Sequence, residues 1–346
     1  MKDILDTIFS LGVALFSSGT LDVLLKMLMI FIKAAIVVGV VMVHVTWASW
    51  FERKTIAHMQ VRLGPMRVGP HGLLQPIADF IKVFFKEDLI PAKADKPIFY
   101  IAPVILVFAT LSSLAVVPFF EGFVVADINI GLLYILAMSS LAAYGVVMAG
   151  WSSDSKYAFL GGLRSSAQVI SYEIAMGLSL VGVIMMAGSL NLSDIVKAQA
   201  AYPLKMYIFP QFLGFIVFLI AALAETNRTP FDLPEAESEL VAGYFVEYSG
   251  MRFALFYVAE YIGMIVMSSV ITVCYLGGWL GPFEIPYVPF AWFAVKVYFL
   301  MFFYYWIRTT VPRYRYDQLM AIGWKVLIPL ALVNIVITGV IKLAVK

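Results

Sequence analysis

Charge is scarce in this sequence, and so are cysteine and histidine. Of 346 residues only 13% are charged, one is cysteine and three are histidine, while 62% are hydrophobic. Soluble domains run near half apolar and about a quarter charged, so a chain this apolar cannot hide its surface in one water-soluble core. Its mean hydropathy of +0.92 marks an integral membrane protein. The single cysteine, Cys274, excludes an internal disulfide and any cysteine-ligated iron–sulfur cluster held by this chain alone, so a redox centre has to sit on a partner. A net charge of +2 with no basic run excludes a nucleic-acid-binding role. Internal repeats, low-complexity tracts and long hydrophilic linkers are also missing, which leaves one helical membrane domain over residues 1–346. The glycines of "GGWLG" at 277–281 do not form a dinucleotide fingerprint, so nothing argues for NADH binding by this chain.

What the sequence has is apolar runs. Eight are long enough to cross a bilayer, at about 24–51, 98–120, 130–151, 166–187, 206–224, 253–278, 290–308 and 322–345. The run "ILDTIFSLGVALF" near the start is too short to span, and Asp3 and Asp6 spoil a signal peptide, so residues 1–20 read as a short surface segment. Lysine and arginine crowd the odd connections, from Arg53 and Lys54 through Lys156 and Arg164 to Arg308 and Arg313; the even ones hold only Lys197 and Lys205. By the positive-inside rule the odd connections are cytoplasmic and both termini lie outside. This makes 52–97 and 225–252 cytoplasmic loops.

The few acids are not evenly spread. Glu225, Asp232, Glu235, Glu237, Glu239 and Glu247 fall within 23 positions, with Arg228 as the only base among them. Prolines after Thr229 and Leu233 disfavour helix just before them, while Pro234 is well placed to start one through "PEAESELVAGYFVEY". Charge alone would suit a solvated face. Phe231, Leu233, Leu240, Val241, Tyr244 and Phe245, mixed among the acids, argue instead for a loop folded against the membrane domain or a partner.

Two more acids sit inside spans. Glu173 is nine residues past Arg164 and Glu260 eight past Arg252, which at 1.5 Å per residue places both carboxyls about 12–13 Å below the same surface. A charge at the bilayer centre costs roughly 2.5–3.5 kcal/mol, so such acids face a protein interior or a wet cavity. One reading is a pair of neutral, hydrogen-bonded acids; the other is a relay that passes protons sideways within the membrane. His44 reads as a packing histidine. Lys296, seven residues into its span, either reaches the interface or pairs with an acid.

The first loop has a different texture. Gly64-Pro65 and Gly69-Pro70 fix a non-helical connector, and then Leu73, Leu74, Ile77, Phe80, Ile81 and Phe84 recur at helical spacing. This predicts an amphipathic helix lying flat at the interface. It serves either as an anchor or as the rim of a portal through which a lipid-soluble molecule reaches polar groups such as Arg53, Gln60, Arg62 and Asp79.

Four long motifs resemble one family: "ERKTIAHMQVRLGPMRVGPHGLLQPIADFIKVFFKED", "LGGLRSSAQVISYEIAMGLSL", "LAETNRTPFDLPEAESELVAGYFVEYSGMRFALFYVAEY" and "RTTVPRYRYDQLMAIGWKVLIPL". They are similar, in the same order, to the H subunits of bacterial NADH:quinone oxidoreductases, the counterparts of subunit 1 of mitochondrial complex I. The resemblance implies that this chain closes the membrane side of a quinone chamber with Arg53, Gln60, Arg62, Asp79 and Arg164, and with Asp232 at its boundary. It further implies an acidic path through Glu173, Glu225, Glu235, Glu237, Glu239, Glu247 and Glu260 toward proton-pumping subunits. Quinone is then the substrate, and FMN and iron–sulfur clusters are carried by partners. The partners would be peripheral iron–sulfur and quinone-site subunits, small membrane-arm subunits and antiporter-like subunits, all in or on the bacterial inner membrane. A homologous membrane subunit of an energy-converting hydrogenase would share the scaffold, and a free-standing proton-coupled transporter would share the intramembrane acids. "MQVRLGP" and "GPHGLLQPIAD" resemble the quinone-reducing branch more, and repeated halves, typical of transporters, are not seen.

Overall fold

The computed structural model describes residues 18–200, 205–232, 241–283 and 290–344. It is built from helices: α1 (Ser18–Met59), α2 (Gln75–Phe84), α3 (Lys96–Ser113), α4 (Gly131–Ser152), α5 (Lys156–Ala187), α6 (Leu192–Ala198), α7 (Phe212–Glu225), α8 (Gly250–Tyr275), α9 (Ala291–Thr310) and α10 (Tyr316–Ala344). Six of them, α1, α3, α4, α5, α8 and α10, are long and apolar enough to cross a membrane. The fifth and seventh predicted spans appear as α7, 14 residues, and α9, 20 residues and carrying Lys296 and Arg308.

Hydrogen bonds between connections sort themselves by parity. At one end of the bundle Asp95 donates its N–H to Ser152 (3.0 Å), Arg252 pairs with Asp88 (3.0 Å) and Arg228 reaches Glu52 (2.9 Å). At the other, Asn191 donates to Asp127 (2.7 Å), Leu132 N–H to Leu190 (3.1 Å) and Ile208 N–H to Tyr275 (3.0 Å). Odd connections meet odd ones and even meet even. α7 therefore runs from one end to the other, despite a helical length of only about 21 Å, completed by the turn at 205–211.

Several boundaries differ from expectation. The first span runs on to Met59, eight residues past its predicted end, because Glu52, Arg53 and Lys54 are good helix formers and the first breaker is Gly64-Pro65. The segment 1–17 lies outside the described residues. Interfacial α2 forms where the pattern placed it, with Phe80, Ile81 and Phe84 exposed in a row along one side. The helix expected from Pro234 falls mostly outside the described residues, and its end is not helical: Val241 and Gly243 have φ of 66° and 57°, followed by a 3-10 turn at Gly243–Phe245. That turn fits against α5 only because both sides are glycine. A Cβ on Gly161 would stand 2.7 Å from the Gly243 Cα.

Packing inside the bundle uses close backbone approach and polar clasps, as expected where lipid gives helices no hydrophobic reason to associate. Gly150 of α4 faces Gly162 of α5, a Cβ on the first lying 3.2 Å from the Cα of the second. Asn334 of α10 donates to Gln211 (2.8 Å), which donates to Thr338 (2.7 Å), all three buried. Among the described residues Lys296 bonds to backbone. Its ammonium donates to the carbonyls of Leu276 (2.6 Å), Gly278 (2.9 Å) and Leu280 (2.6 Å), capping the carbonyls that the end of α8 and the turn after it leave open. His44 is satisfied by Tyr298 (2.8 Å), as a packing histidine should be.

Candidate functional site: a buried ion cluster and an acidic cavity

The site begins where α7 ends. Gln168 on α5 has no exposed surface, and its amide donates to the carbonyls of Ala224 and Phe231, both at 2.8 Å. This ties down the two ends of the turn between α7 and Asp232. Phe231 sits between Tyr172 of α5 and Tyr314, with ring centroids 5.5 and 5.8 Å away. Arg228 is thereby held inside the protein, 5% exposed.

Arg228 joins two acids from different helices. Its Nη1 donates to Glu52 of α1 at 2.9 Å, its Nε pairs with Glu260 of α8 at 2.5 Å, and its guanidinium lies 4.7 Å from the ring of Tyr261. Glu52, 3% exposed, also accepts from Arg308 at the end of α9 and from the Tyr261 hydroxyl at 2.7 Å. Asp232, equally buried, accepts from Arg313 at 2.8 Å. Burial pushes the Asp232 carboxyl above the usual aspartate range, against the pull of Arg313 and the other two arginines. Among the described residues three acids and three arginines thus occupy one cluster. A buried charge is expensive to desolvate, so each acid here keeps its charge only as far as its arginine partners compensate it.

From Glu260 a cavity of about 80 Å³ leads away between α3, α4, α5, α7 and α8. Glu225 and Glu260 both line it, together with Ser139 and Thr226. One carboxyl oxygen of Glu225 is buried with no hydrogen-bond partner among the described residues. At roughly 30 Å³ per water the cavity has room for a few molecules, and although most of its lining is apolar, the unmet Glu225 acceptor with Glu260, Ser139 and Thr226 offers buried water its partners. Glu225 lies within electrostatic reach of Glu173, which accepts from Ser140 and, at 3.4 Å, from Ser139. The two acids expected at one depth, Glu173 and Glu260, are therefore not direct neighbours; Glu225 and the cavity lie between them.

The remaining predicted residues fall in three places. Arg53 donates to Asp79 at 2.7 Å, joining α1 to α2, and Arg62 to Gln60 at 2.8 Å, both on the exposed side of the first connection. Arg164 and Glu247 are half-buried, the first on α5 and the second beside the 3-10 turn. Glu235, Glu237 and Glu239 lie outside the described residues. What sequence reasoning misses is the counter-charge: Glu52, Arg308 and Arg313 look like loop residues, and Tyr261 and Gln168 do not stand out. A signal exists, since a lone Arg228 among six acids has to pair with some carboxylate.

The NADH dehydrogenase family profile matches residues 9–339 of this chain. Sequence similarity to individual proteins is just as extensive. The chain is 53% identical over 329 residues to an NADH-quinone oxidoreductase H subunit of Geobacter sulfurreducens, covering 89% of this chain and 93% of that one. The chain belongs to the NADH dehydrogenase family. The H subunit of Paramagnetospirillum magneticum is 51% identical over 318 residues, with 91% and 92% covered. That of Rickettsia canadensis is 53% identical over 319, with 90% and 93% covered. These relatives carry the name of the quinone-reducing branch, which favours it over the hydrogenase and transporter readings.

Proposed function

We infer that this chain is the H-type membrane subunit of a proton-translocating NADH:quinone oxidoreductase, in which it walls a quinone chamber and couples that chamber to proton movement. The near-complete match to named subunits supports membership of the complex, and the pairing of Glu260 with Arg228 beside the acidic cavity carries the coupling role. FMN and iron–sulfur clusters sit on partner subunits. The partners are peripheral iron–sulfur and quinone-site subunits, small membrane-arm subunits and antiporter-like subunits. The complex lies in a bacterial inner membrane with the odd connections cytoplasmic and both termini outside.

In this reading α2 and the Arg53–Asp79 and Arg62–Gln60 pairs border the quinone route, with Arg164 further in and Asp232 at the boundary with the path. The path runs from Glu260 across the cavity to Glu225, then to Glu173 with its two serines, which offer the hydroxyl relay a proton transfer needs. Glu247 and the acids at 235, 237 and 239 extend it on the chamber side. The ion cluster supplies the coupling: a charge appearing in the chamber on quinone reduction shifts the balance at Arg228 and changes how firmly Glu260 holds its proton.

The test is proton pumping by the assembled complex in proteoliposomes during NADH:quinone oxidation. Glu173→Gln and Glu260→Gln should each lower protons moved per NADH oxidised. If both leave pumping unchanged, the path is wrong.

A further inference from the structure

The turn that carries Arg228 rests on one side of α5. Ser165, Gln168 and Tyr172 stand three and four residues apart, so they project from the same side of that helix. All three are buried, and all three touch the turn. The Ser165 hydroxyl donates to the Asn227 side chain at 3.4 Å, and Tyr172 lies against the Phe231 ring. Between them the Gln168 amide nitrogen holds the carbonyls of Ala224 and Phe231, with the Asn227 side-chain oxygen 3.3 Å from it.

Stability does not account for an amide at this position. Both N–H bonds are spent on the two carbonyls, while the amide oxygen is buried with no hydrogen-bond partner among the described residues. An unmet buried acceptor costs about 1–3 kcal/mol, which offsets most of what two donations contribute at about 0.5–1.5 kcal/mol each. What the amide supplies is placement. One side chain fixes the chain at Ala224 and at Phe231, and between them Asn227, with φ of 49°, leaves the helical course one residue before Arg228. The Arg228 guanidinium then meets Glu52 at 2.9 Å and Glu260 at 2.5 Å, acids from two different helices. Such bonds fade beyond about 3.2 Å, so a displacement of the turn by about 0.5–1 Å is enough to loosen one of them.

On the reading that protons pass through Glu260, we propose that Gln168 is a positioning residue for coupling: by clipping both ends of the turn it sets how closely Arg228 meets Glu260, and through that how readily Glu260 exchanges its proton. Gln168 acts through backbone alone, since its amide bonds to the turn and not to the acids of the cluster. Loosening the clip alters the field on Glu260 and leaves the route from Glu260 to Glu225 in place. Turnover should therefore fall while protons moved per NADH stay the same.

The experiment uses the assembled complex in proteoliposomes, with turnover taken per FMN so that a change in assembly does not count as a change in rate. Gln168→Met, near in length and without donors, should lower kcat for quinone reduction about fivefold, keep the quinone KM within about twofold and keep protons moved per NADH. Gln168→Asn keeps the amide but withdraws it by one methylene. It should lower kcat about threefold, and it carries the test if the methionine variant does not assemble. Beside Glu260→Gln, either Gln168 substitution should change kcat less than about twofold, because the group it acts on is gone. Unchanged kcat in the assembled Gln168 variants overturns the inference. So does a loss that persists in full beside Glu260→Gln, which would make Gln168 a packing residue, and so does a rise in KM alone, which would make it part of the quinone wall. If Glu260→Gln by itself leaves protons moved per NADH unchanged, it is the path that fails, and Gln168 has nothing to position.

Discussion

Replacing Arg228 by Met tests whether the ion cluster is held together as its geometry indicates. Among the described residues Arg228 is the one cation paired with Glu260, whereas Glu52 keeps Arg308 and Tyr261 if Arg228 is lost. Removing one partner of a buried pair costs about 3–5 kcal/mol, mostly because an uncompensated charge stays behind. In a cell even 1–2 kcal/mol changes abundance several-fold, so Arg228→Met should reduce assembled complex more than tenfold. Adding Glu260→Gln removes the stranded charge and should return much of that loss. Adding Glu52→Gln should return less, since Glu52 is still compensated. The assay is the amount of intact complex on native gels of membranes, stained for NADH oxidation, across the double-mutant cycle. Equal assembly of Arg228→Met and Arg228→Met/Glu260→Gln would mean that Glu260 is not the charge Arg228 compensates.

Asp232 gives a pH prediction. A carboxyl raised by burial favours the protonated form in the folded state, so its contribution to stability is fully present below the ordinary aspartate value of about 3.9 and is lost as pH rises through the shifted one. Asp232→Asn should therefore resist thermal inactivation better, relative to the parent, at pH 7 than at pH 4.5; Arg313→Gln should widen that gap. Gly161→Leu should push the 241–248 segment off α5, costing about 1–3 kcal/mol and lowering assembly, whereas Gly39→Ala, with nothing within 4 Å, should not. Lys296→Met leaves three carbonyls without their donor and should lower the inactivation temperature, measured on the purified complex, while Lys296→Arg keeps part of it.

The helices are legible because lipid demands them: an apolar run of sufficient length can only be a helix, so α3, α4, α5, α8 and α10 are visible from hydropathy. α2 is visible for the complementary reason, a one-sided pattern in a polar loop. The site is less so. Glu173, Glu225 and Glu260 announce themselves, since an acid in an apolar run is an anomaly. Glu52 does not, because it stands next to Arg53 and Lys54 and looks like part of a solvated helix end. Arg308 and Arg313 have the same disguise: as charges that set orientation, they do not look like counter-ions. Pairing across 176 and 256 residues, as in Arg228–Glu52 and Arg308–Glu52, leaves no local trace.

The two sides of Arg228 cannot work in the same way. Toward Glu225 the cavity has room for water beside hydroxyl groups, and the proposed path has a proton leave Glu260 there by transfer. Toward Glu52 the intervening group is a guanidinium, which does not give up its proton in a protein and so interrupts any wire. Charge on Glu52 is felt by Glu260 only electrostatically, through Arg228. Glu260→Gln should therefore remove a transfer step and lower protons moved per NADH. Glu52→Gln should leave that ratio in place and change turnover, because it alters the field on Glu260 and not the route. Both quantities can be read in the same proteoliposomes, with NADH absorbance for turnover and a pH dye for pumping. An equal loss of protons per NADH in the two variants would mean that protons cross the arginine, and the division of the site at Arg228 would have to be abandoned.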